Sequence, residues 1–167
     1  MEKQNYTTQM DAARKGILTP QMKIVAEKEF MDENQLMKLV AEGKVAIPAN
    51  KAHKCLNPEG IGSMLRTKIN VNLGVSRDCK DYGIEMEKVM SAVNMGAEAI
   101  MDLSSHGNTQ PFRQKLTSEC PAMIGTVPVY DSVIHYQRDL ETLTAKDFID
   151  VVRLHAEDGV DFVTIHS

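Results

Sequence analysis

Four side chains with binding chemistry follow apolar stretches of this sequence: Asn72, Met101, Tyr130 and His166. The Asn72 amide can donate and accept hydrogen bonds, and the His166 imidazole can hydrogen-bond a ligand or bind a metal. Tyr130 adds a hydroxyl and a ring face, and Met101 adds a polarizable side chain that packs closely against other groups. This combination is typical of a small-molecule pocket, in which a few polar groups orient a ligand against apolar surface.

Each of these residues also has a structural interpretation that the sequence alone leaves open. An asparagine at the end of a strand can cap the following loop, and a methionine in an apolar run is most simply part of the core. A tyrosine can lie at a rim with its hydroxyl in water, and a histidine can be held by internal hydrogen bonds. Asp102, which follows Met101, can cap the next helix. The argument for a ligand site therefore depends on the position that the four residues share.

That shared position is the carboxyl end of a predicted strand. Apolar residues alternate with Asn70 and Asn72 over residues 68–73, which predicts a strand. Short apolar runs predict three further strands, at residues 99–103, 123–127 with a continuation to Tyr130, and 162–166. Ligands of parallel α/β sheets and barrels bind at the carboxyl ends of the strands. Because all four strands deliver a polar or unusual residue there, we expect a ligand site at that edge.

Helical patterns separate the predicted strands. Residues 83–95 carry apolar residues at helical spacing and are closed by Gly96, and residues 108–118 are weakly helical. Thr144 opens a further helix with Asp147 three residues later, which indicates a capping box. Its apolar face includes His155. The alternation predicts an α/β fold of four strand–helix units over residues 66–167.

Residues 1–65 predict a small, mainly helical N-terminal region that precedes these units. The helix signals include the pair Thr19-Pro20, which is typical of a helix start, and Gly43, which is typical of a helix end. Residues 45–48 predict a short strand or an extended turn. Residues 50–63 predict a loop, with a lid or a contact to an anion as the alternative interpretation of its lysines and His53.

Charge and hydropathy limit the partners of the chain. It has 167 residues, a formal net charge of −4 and a pI of about 5.7, without a basic stripe, so we expect no nucleic-acid partner. No apolar run approaches the roughly 20 residues that cross a bilayer, so we expect no membrane partner. Residues 1–6 lack a hydrophobic signal core, which makes the cytoplasm the expected compartment.

The three cysteines are Cys55, Cys79 and Cys120. Each lies more than twenty residues from the next, which fits neither a disulfide framework nor a metal-binding CxxC pair. We therefore expect free, mostly buried thiols and no metal site within the chain.

Four motifs resemble, in order, those of the phosphomethylpyrimidine synthase family. They are RTKINVNLG at residues 66–74, GAEAIMDLS at 96–104, IGTVPVY at 124–130 and DFVTIH at 161–166. The opening NYTTQMDAA at residues 5–13 is similar to the short bacterial form of the same family. The resemblance covers essentially the whole chain, and four motifs in the right order make it specific.

The resemblance implies a radical S-adenosylmethionine enzyme of thiamine biosynthesis. Such enzymes rearrange 5-aminoimidazole ribotide into hydroxymethylpyrimidine phosphate, and they use a four-iron four-sulfur cluster, S-adenosylmethionine and a divalent metal such as zinc. The implied fold is a small N-terminal domain, a (β/α)₈ barrel and a C-terminal region with the cluster cysteines, in a homodimer. The implied ribotide contacts fall on the same four strand-end residues, Asn72, Met101, Tyr130 and His166.

The sequence departs from the family at the cluster. The family's cysteines lie close together in a CxxCxxxxC arrangement, which none of the three cysteines here can supply. We therefore expect residues 66–167 to form the first half of a (β/α)₈ barrel and the isolated chain to lack turnover. The alternative is a stand-alone half-barrel that binds a second copy or a missing C-terminal half.

Overall fold

The computed structural model describes residues 5–166, which divide into two compact units. The first unit comprises residues 5–49 and 58–68, and the second comprises residues 50–57 and 69–166. Residues 1–4, part of the stretch that predicted the compartment, and Ser167 lie outside the described residues. The domain boundary that we placed between residues 65 and 66 stays a prediction.

The first unit consists of three helices and a two-stranded antiparallel sheet. Side chains of Thr8, Thr19 and Asp32 accept hydrogen bonds from the first backbone amides of the three helices and so fix where each begins. The second strand was not predicted, because residues 50–63 were expected to be a loop throughout. The elements are α1 Gln9–Arg14, α2 Pro20–Lys28, α3 Glu33–Ala41, β1 Val45–Ala46 and β2 Ile61–Gly62.

The second unit is a parallel sheet of four strands in the order β3-β4-β5-β6, with helices in the connections. This confirms the predicted α/β class. A short 3-10 turn at residues 140–142 precedes the last helix. The elements are β3 Asn70–Leu73, α4 Tyr82–Asn94, β4 Ala99–Asp102, α5 Gln110–Glu119, β5 Met123–Thr126, α6 Pro128–Tyr136, α7 Ala145–Glu157 and β6 Phe162–Val163.

One face of this sheet packs against helices. Val71 and Leu73 of β3, Ile100 of β4 and Ile124 of β5 belong to one apolar core, which also contains Phe112 of α5. Because side chains alternate along a strand, the residues between them point to the opposite face. We call that opposite face the open face of the sheet. Both asparagines of the edge strand β3 are exposed there, whereas the residues of the central strands β4 and β5 on the same face are buried.

The ends of the helices follow the predicted signals. At the start of α7 the Thr144 side chain accepts from the Asp147 amide, and the Asp147 carboxylate accepts from the Thr144 amide, so the capping box is confirmed. Gly96 follows α4 with φ +96°, a left-handed conformation that costs glycine less than any other residue.

No helix among residues 5–166 is long and apolar enough to cross a membrane.

Two expectations about the strands were wrong. The stretch up to Tyr130 was expected to continue the third strand, but β5 ends at Thr126 and Pro128 begins helix α6. Proline is favoured at this first helical position because its missing N–H would have no partner there. The fourth strand is only Phe162–Val163, so His166 lies three residues beyond its end instead of directly at the strand mouth.

Candidate functional site

Asn72 and Met101 are neighbours on the open face of the sheet. They are partners in the register of β3 and β4, and adjacent strands lie about 4.8 Å apart. Asn72 is exposed, whereas Met101 is only 8% exposed. The amide is therefore accessible to a ligand, and the thioether lies beside it as apolar support.

Gly125 and Phe162 continue the same row across the sheet. Gly125 pairs with Met101 on one side and with Phe162 on the other. A Cβ atom on Gly125 would lie 2.3 Å from Cζ of Phe162, so the phenyl ring occupies the space above this glycine. Sequence reasoning missed both residues, although a glycine inside a strand often marks a close approach.

Tyr130 and His166 form a second pair. Their ring centroids are 6.2 Å apart, and the ring planes are inclined by 37°. Tyr130 lies in the first turn of α6 and is 42% exposed, and His166 is exposed as well. The structure therefore brings the four predicted residues together as two pairs, Asn72 with Met101 and Tyr130 with His166.

Asp102 does not cap the next helix, which was one of its possible interpretations. Its Oδ1 atom accepts hydrogen bonds from the Ser104 amide at 2.9 Å and from the Ser104 hydroxyl at 2.5 Å. Helix α5 has Thr109 at its N-cap instead. Burial raises the pKa of the Asp102 carboxyl, and the bonds from Ser104 oppose that shift. Asp102 thus fixes the turn after β4.

A buried polar network lies on the helix-covered side of the sheet. Nδ1 of His155 is 2.8 Å from the Thr126 hydroxyl, and Nε2 is 2.9 Å from Oδ2 of Asp131. Asp131 also accepts from the hydroxyl of Thr109 at 2.5 Å and from Arg113 at 3.1 Å. Burial alone would raise the pKa of Asp131, but the bonds from His155 and Thr109 and the charge of Arg113 lower it to about 2.

This network holds the segment that carries Tyr130. Asp131 follows Tyr130 in the first turn of α6, and its partners come from α5, from the residue that precedes α5 and from α7, whose His155 also bonds a hydroxyl of β5. Arg113 extends the network to Asp158 after α7, with Nε 3.0 Å from Oδ2. The sequence placed His155 on the apolar face of its helix, which signalled burial but gave no sign of its partners.

His53 is a structural residue and not an anion contact. Its side chain is fully buried, with Nδ1 2.7 Å from Oδ2 of Asp161 and Nε2 2.7 Å from the Cys120 carbonyl oxygen. Burial favours the neutral imidazole, but the bond and the charge of Asp161 outweigh it and raise the pKa of His53. Because both ring nitrogens have partners, neither is available to a phosphate.

The three cysteines are free thiols, but they are not mostly buried as expected, because only Cys120 is buried and the other two are partly exposed. The Cys55 thiol is 3.2 Å from the Cys120 carbonyl oxygen, and the Cys79 thiol is 3.1 Å from a carboxylate oxygen of Glu85. Burial raises the pKa of Cys120 to about 11. Residues 5–166 contain no group of three His, Cys, Asp or Glu side chains that could hold a metal ion. These thiols do not fit an iron–sulfur cluster, which needs several thiolates together.

Two surface cavities lie away from the four predicted residues. One, of about 630 Å³, runs along the edge strand β3 and α4 and is lined by apolar residues such as Ile69, Val71 and Met95. The other, of about 650 Å³, lies between α5 and α6 beside Arg113 and Asp131. Neither of these two cavities is lined by any of the four residues.

Comparison with known proteins decides the family. A model of the Radical SAM ThiC family matches residues 8–167. The chain belongs to this family. It is 63% identical over 162 residues to phosphomethylpyrimidine synthase of Alkaliphilus oremlandii, an alignment that covers 97% of this chain and 37% of the relative. The corresponding enzyme of Clostridioides difficile is 60% identical over 163 residues, covering 98% of this chain and 38% of the relative.

The resemblance stated from four motifs is therefore confirmed along the chain. The chain spans little more than a third of the length of these curated relatives and corresponds to their N-terminal part. All four predicted residues lie within the matched range of the Radical SAM ThiC family. Their assignment to substrate binding stays a prediction.

Proposed function

We propose that this chain supplies the first part of the substrate barrel of a phosphomethylpyrimidine synthase, an enzyme of thiamine biosynthesis. Asn72, Met101, Tyr130 and His166 contact 5-aminoimidazole ribotide in this proposal. The observation that carries it is the pairing of Asn72 with Met101 on the open face, with the rings of Tyr130 and His166 6.2 Å apart beyond the strand ends. Membership of the family supports the choice of substrate.

The proposal includes the fold of the whole enzyme, in which this four-stranded sheet is half of a (β/α)₈ barrel. Four parallel strands in sequential order, with an apolar core between the sheet and its helices, are the arrangement found in half of a (β/α)₈ barrel. The open face then becomes the barrel interior, and its strand ends become the mouth. Exposure of the polar Asn70 and Asn72 on that face supports this assignment.

Each residue has a defined role at that mouth. The Asn72 amide donates to one polar group of the ribotide and accepts from another, and the imidazole of His166 hydrogen-bonds a third polar group. Tyr130 offers its hydroxyl or ring face, and Met101 packs against the ligand. The iron–sulfur cluster, S-adenosylmethionine and zinc are not assigned to residues of this chain, because its thiols do not fit a cluster. We place the protein in the cytoplasm, which three free thiols support.

A second candidate function is a module that associates with a second copy. Strand β3 is an edge strand, Ile69 beside it is 59% exposed, and the apolar cavity of about 630 Å³ lies along it. Apolar sheet edges favour pairing with another chain. A defined dimer at tens of micromolar in light scattering supports this candidate, and a monomer at that concentration contradicts it.

A chimeric synthase tests the proposed function. In it, residues 8–167 of this chain replace the matching part of the Alkaliphilus oremlandii enzyme, which is 63% identical to the chain over 162 residues. We expect the chimera to convert 5-aminoimidazole ribotide into hydroxymethylpyrimidine phosphate when S-adenosylmethionine and a reductant are supplied. Asn72→Ala and His166→Ala each remove a hydrogen bond to the ligand, so we expect ribotide affinity to fall about tenfold.

Matched substitutions separate binding from folding. Asn70→Ala removes an amide of the same type from the same face of β3, two residues further from the carboxyl end than Asn72. His135→Ala removes an exposed histidine of α6. We expect both controls to bind ribotide as the parent chimera does. Equal losses in Asn70→Ala and Asn72→Ala would contradict the assignment of Asn72, and a folded chimera without ribotide binding would contradict the proposed function.

A further inference from the structure

The starting observation is the close approach of Phe162 to Gly125. Three ring atoms of Phe162, Cζ, Cε2 and Cε1, lie 2.3, 2.4 and 2.9 Å from the position that a Cβ atom on Gly125 would take. Real Cβ atoms do not approach carbon that closely, so only glycine at position 125 admits the ring in this place. The ring of β6 therefore leans across the neighbouring strand β5.

The ring lies on the open face of the sheet. Ile124 belongs to the core on the helix-covered side, so the Cβ direction of its neighbour Gly125 points to the opposite face. That is the face of Asn72 and Met101, with which Gly125 shares a row through the register of the strands. The amide of Asn72, the thioether of Met101 and the ring of Phe162 follow one another along this row.

Phe162 belongs to neither of the two apolar cores of the described residues. Phe162 is partly exposed and is absent from both clusters of buried apolar residues, whereas its neighbour Asp161 is held by His53. Large aromatic rings stabilise a fold most when they are buried. Because the ring of Phe162 is partly exposed, it has surface left that a ligand could cover, as aromatic side chains of ligand pockets do.

We propose that Phe162 is a further substrate-binding residue, whose ring stacks on a planar nitrogen-containing aromatic ring of the ligand while Gly125 provides the room. The inference rests on the proposed function and adds the contact for the imidazole ring of the ribotide. Residues of the same row make different contacts with the ligand. Asn72 binds its polar groups, and Phe162 and Met101 pack against its imidazole ring. His166 follows Phe162 by four residues and lies beyond the carboxyl end of β6, on the mouth side.

Two ligands make the test specific for ring stacking. The probes are 5-aminoimidazole ribotide and ribose 5-phosphate, which lacks the aromatic ring, and the measurement is the dissociation constant by calorimetry for the chimeric synthase without S-adenosylmethionine. We expect Phe162→Leu to weaken ribotide binding about tenfold and to leave ribose 5-phosphate binding unchanged, because stacking of a base on an aromatic side chain commonly contributes that much. Phe162→Trp keeps a ring and retains most of the ribotide affinity.

A double variant separates the contact from packing. Gly125→Ala places a methyl group where the ring lies, so we expect it to lower the melting temperature and the ribotide affinity together. In Gly125→Ala/Phe162→Ala the clash is gone, so the melting temperature recovers towards that of the parent while ribotide binding stays weak. If Phe162 were only a packing residue, ribotide affinity would recover together with the melting temperature.

The outcomes keep the two proposals apart. A folded parent chimera that binds no ribotide overturns the proposed function, and with it the role of Phe162. A parent that binds ribotide, combined with unchanged affinity in Phe162→Leu, overturns the role of Phe162 alone. Equal weakening of ribotide and ribose 5-phosphate in Phe162→Leu also overturns it, because the ring would then act on the whole pocket.

Discussion

Nε2 of His155 on α7 lies 2.9 Å from Oδ2 of Asp131 on α6, where the side chain of His155 is 2% exposed and that of Asp131 is 13% exposed. The other ring nitrogen of His155 bonds the hydroxyl of Thr126 on β5. One imidazole thus connects a strand and two helices. Because Asp131 follows Tyr130 directly, the same contact fixes the turn that presents Tyr130 beside His166.

Substitution of His155 should be among the most destabilising changes in the second unit. His155→Ala leaves a buried carboxylate and a buried hydroxyl with fewer partners, so we expect the free energy of unfolding to fall by about 2–4 kcal/mol. Urea denaturation of the 167-residue chain measures it. The control His135→Ala removes an exposed histidine and should change the stability by less than about 0.5 kcal/mol. Equal effects of the two substitutions would contradict this account.

Acid should remove the contribution of Asp131. Its pKa is lowered from 3.8 to about 2 in the folded chain, so the carboxylate stabilises the fold above the unfolded pKa and loses that contribution as the pH falls towards 2. The shift corresponds to about 2 kcal/mol. We expect the stability difference between the parent and Asp131→Asn to be largest above pH 5 and to shrink between pH 4 and 2. Denaturation curves across this range measure the difference, and a constant difference would contradict the prediction.

The sequence predicted the elements whose signals are local. The helix α4 with its closing Gly96 and the capping box of α7 depend on residues within four positions of one another, and the structure contains both. The strands up to Thr126 were predicted for the same reason, because alternation or an apolar run identifies them. Helix α6 was missed, since its opening residues Pro128, Val129 and Tyr130 continue the apolar run of β5.

Contacts between distant residues could not be predicted from one sequence. His155 and Asp131 are 24 positions apart, and His53 and Asp161 are 108 apart, so no spacing rule connects them. The row from Asn72 to Phe162 likewise depends on the register of four strands, which the sequence does not state. The sequence did indicate a polar or unusual residue at the carboxyl end of each predicted strand, which gave the four candidate residues but not their arrangement in pairs.

The capping box of α7 should have a measurable and modest effect. Thr144→Ala removes the hydroxyl that accepts from the Asp147 amide, so we expect a loss of about 1 kcal/mol in the free energy of unfolding. Thr144→Ser keeps the hydroxyl and is the matched control, with a loss of less than half as much. Thermal or urea unfolding of the three proteins measures the effect. A Ser variant as unstable as the Ala variant would show that the methyl group, and not the cap, is responsible.

Stability should also fall when the pH rises above neutrality, because of His53. The bond to Asp161 raises the folded pKa of His53 above its usual 6.5, so its contribution is complete below about 6.5 and is lost as the pH rises through the folded pKa. Urea denaturation is measured between pH 6 and 7.5, because unfolded thiols ionise at about pH 8.5 and the raised folded pKa values of Cys55 and Cys120 would add a second decrease in stability there. We expect the free energy of unfolding to decrease over this interval in the parent and in His135→Gln. In His53→Gln the decrease should be absent, and a decrease that persists there would assign it to another group.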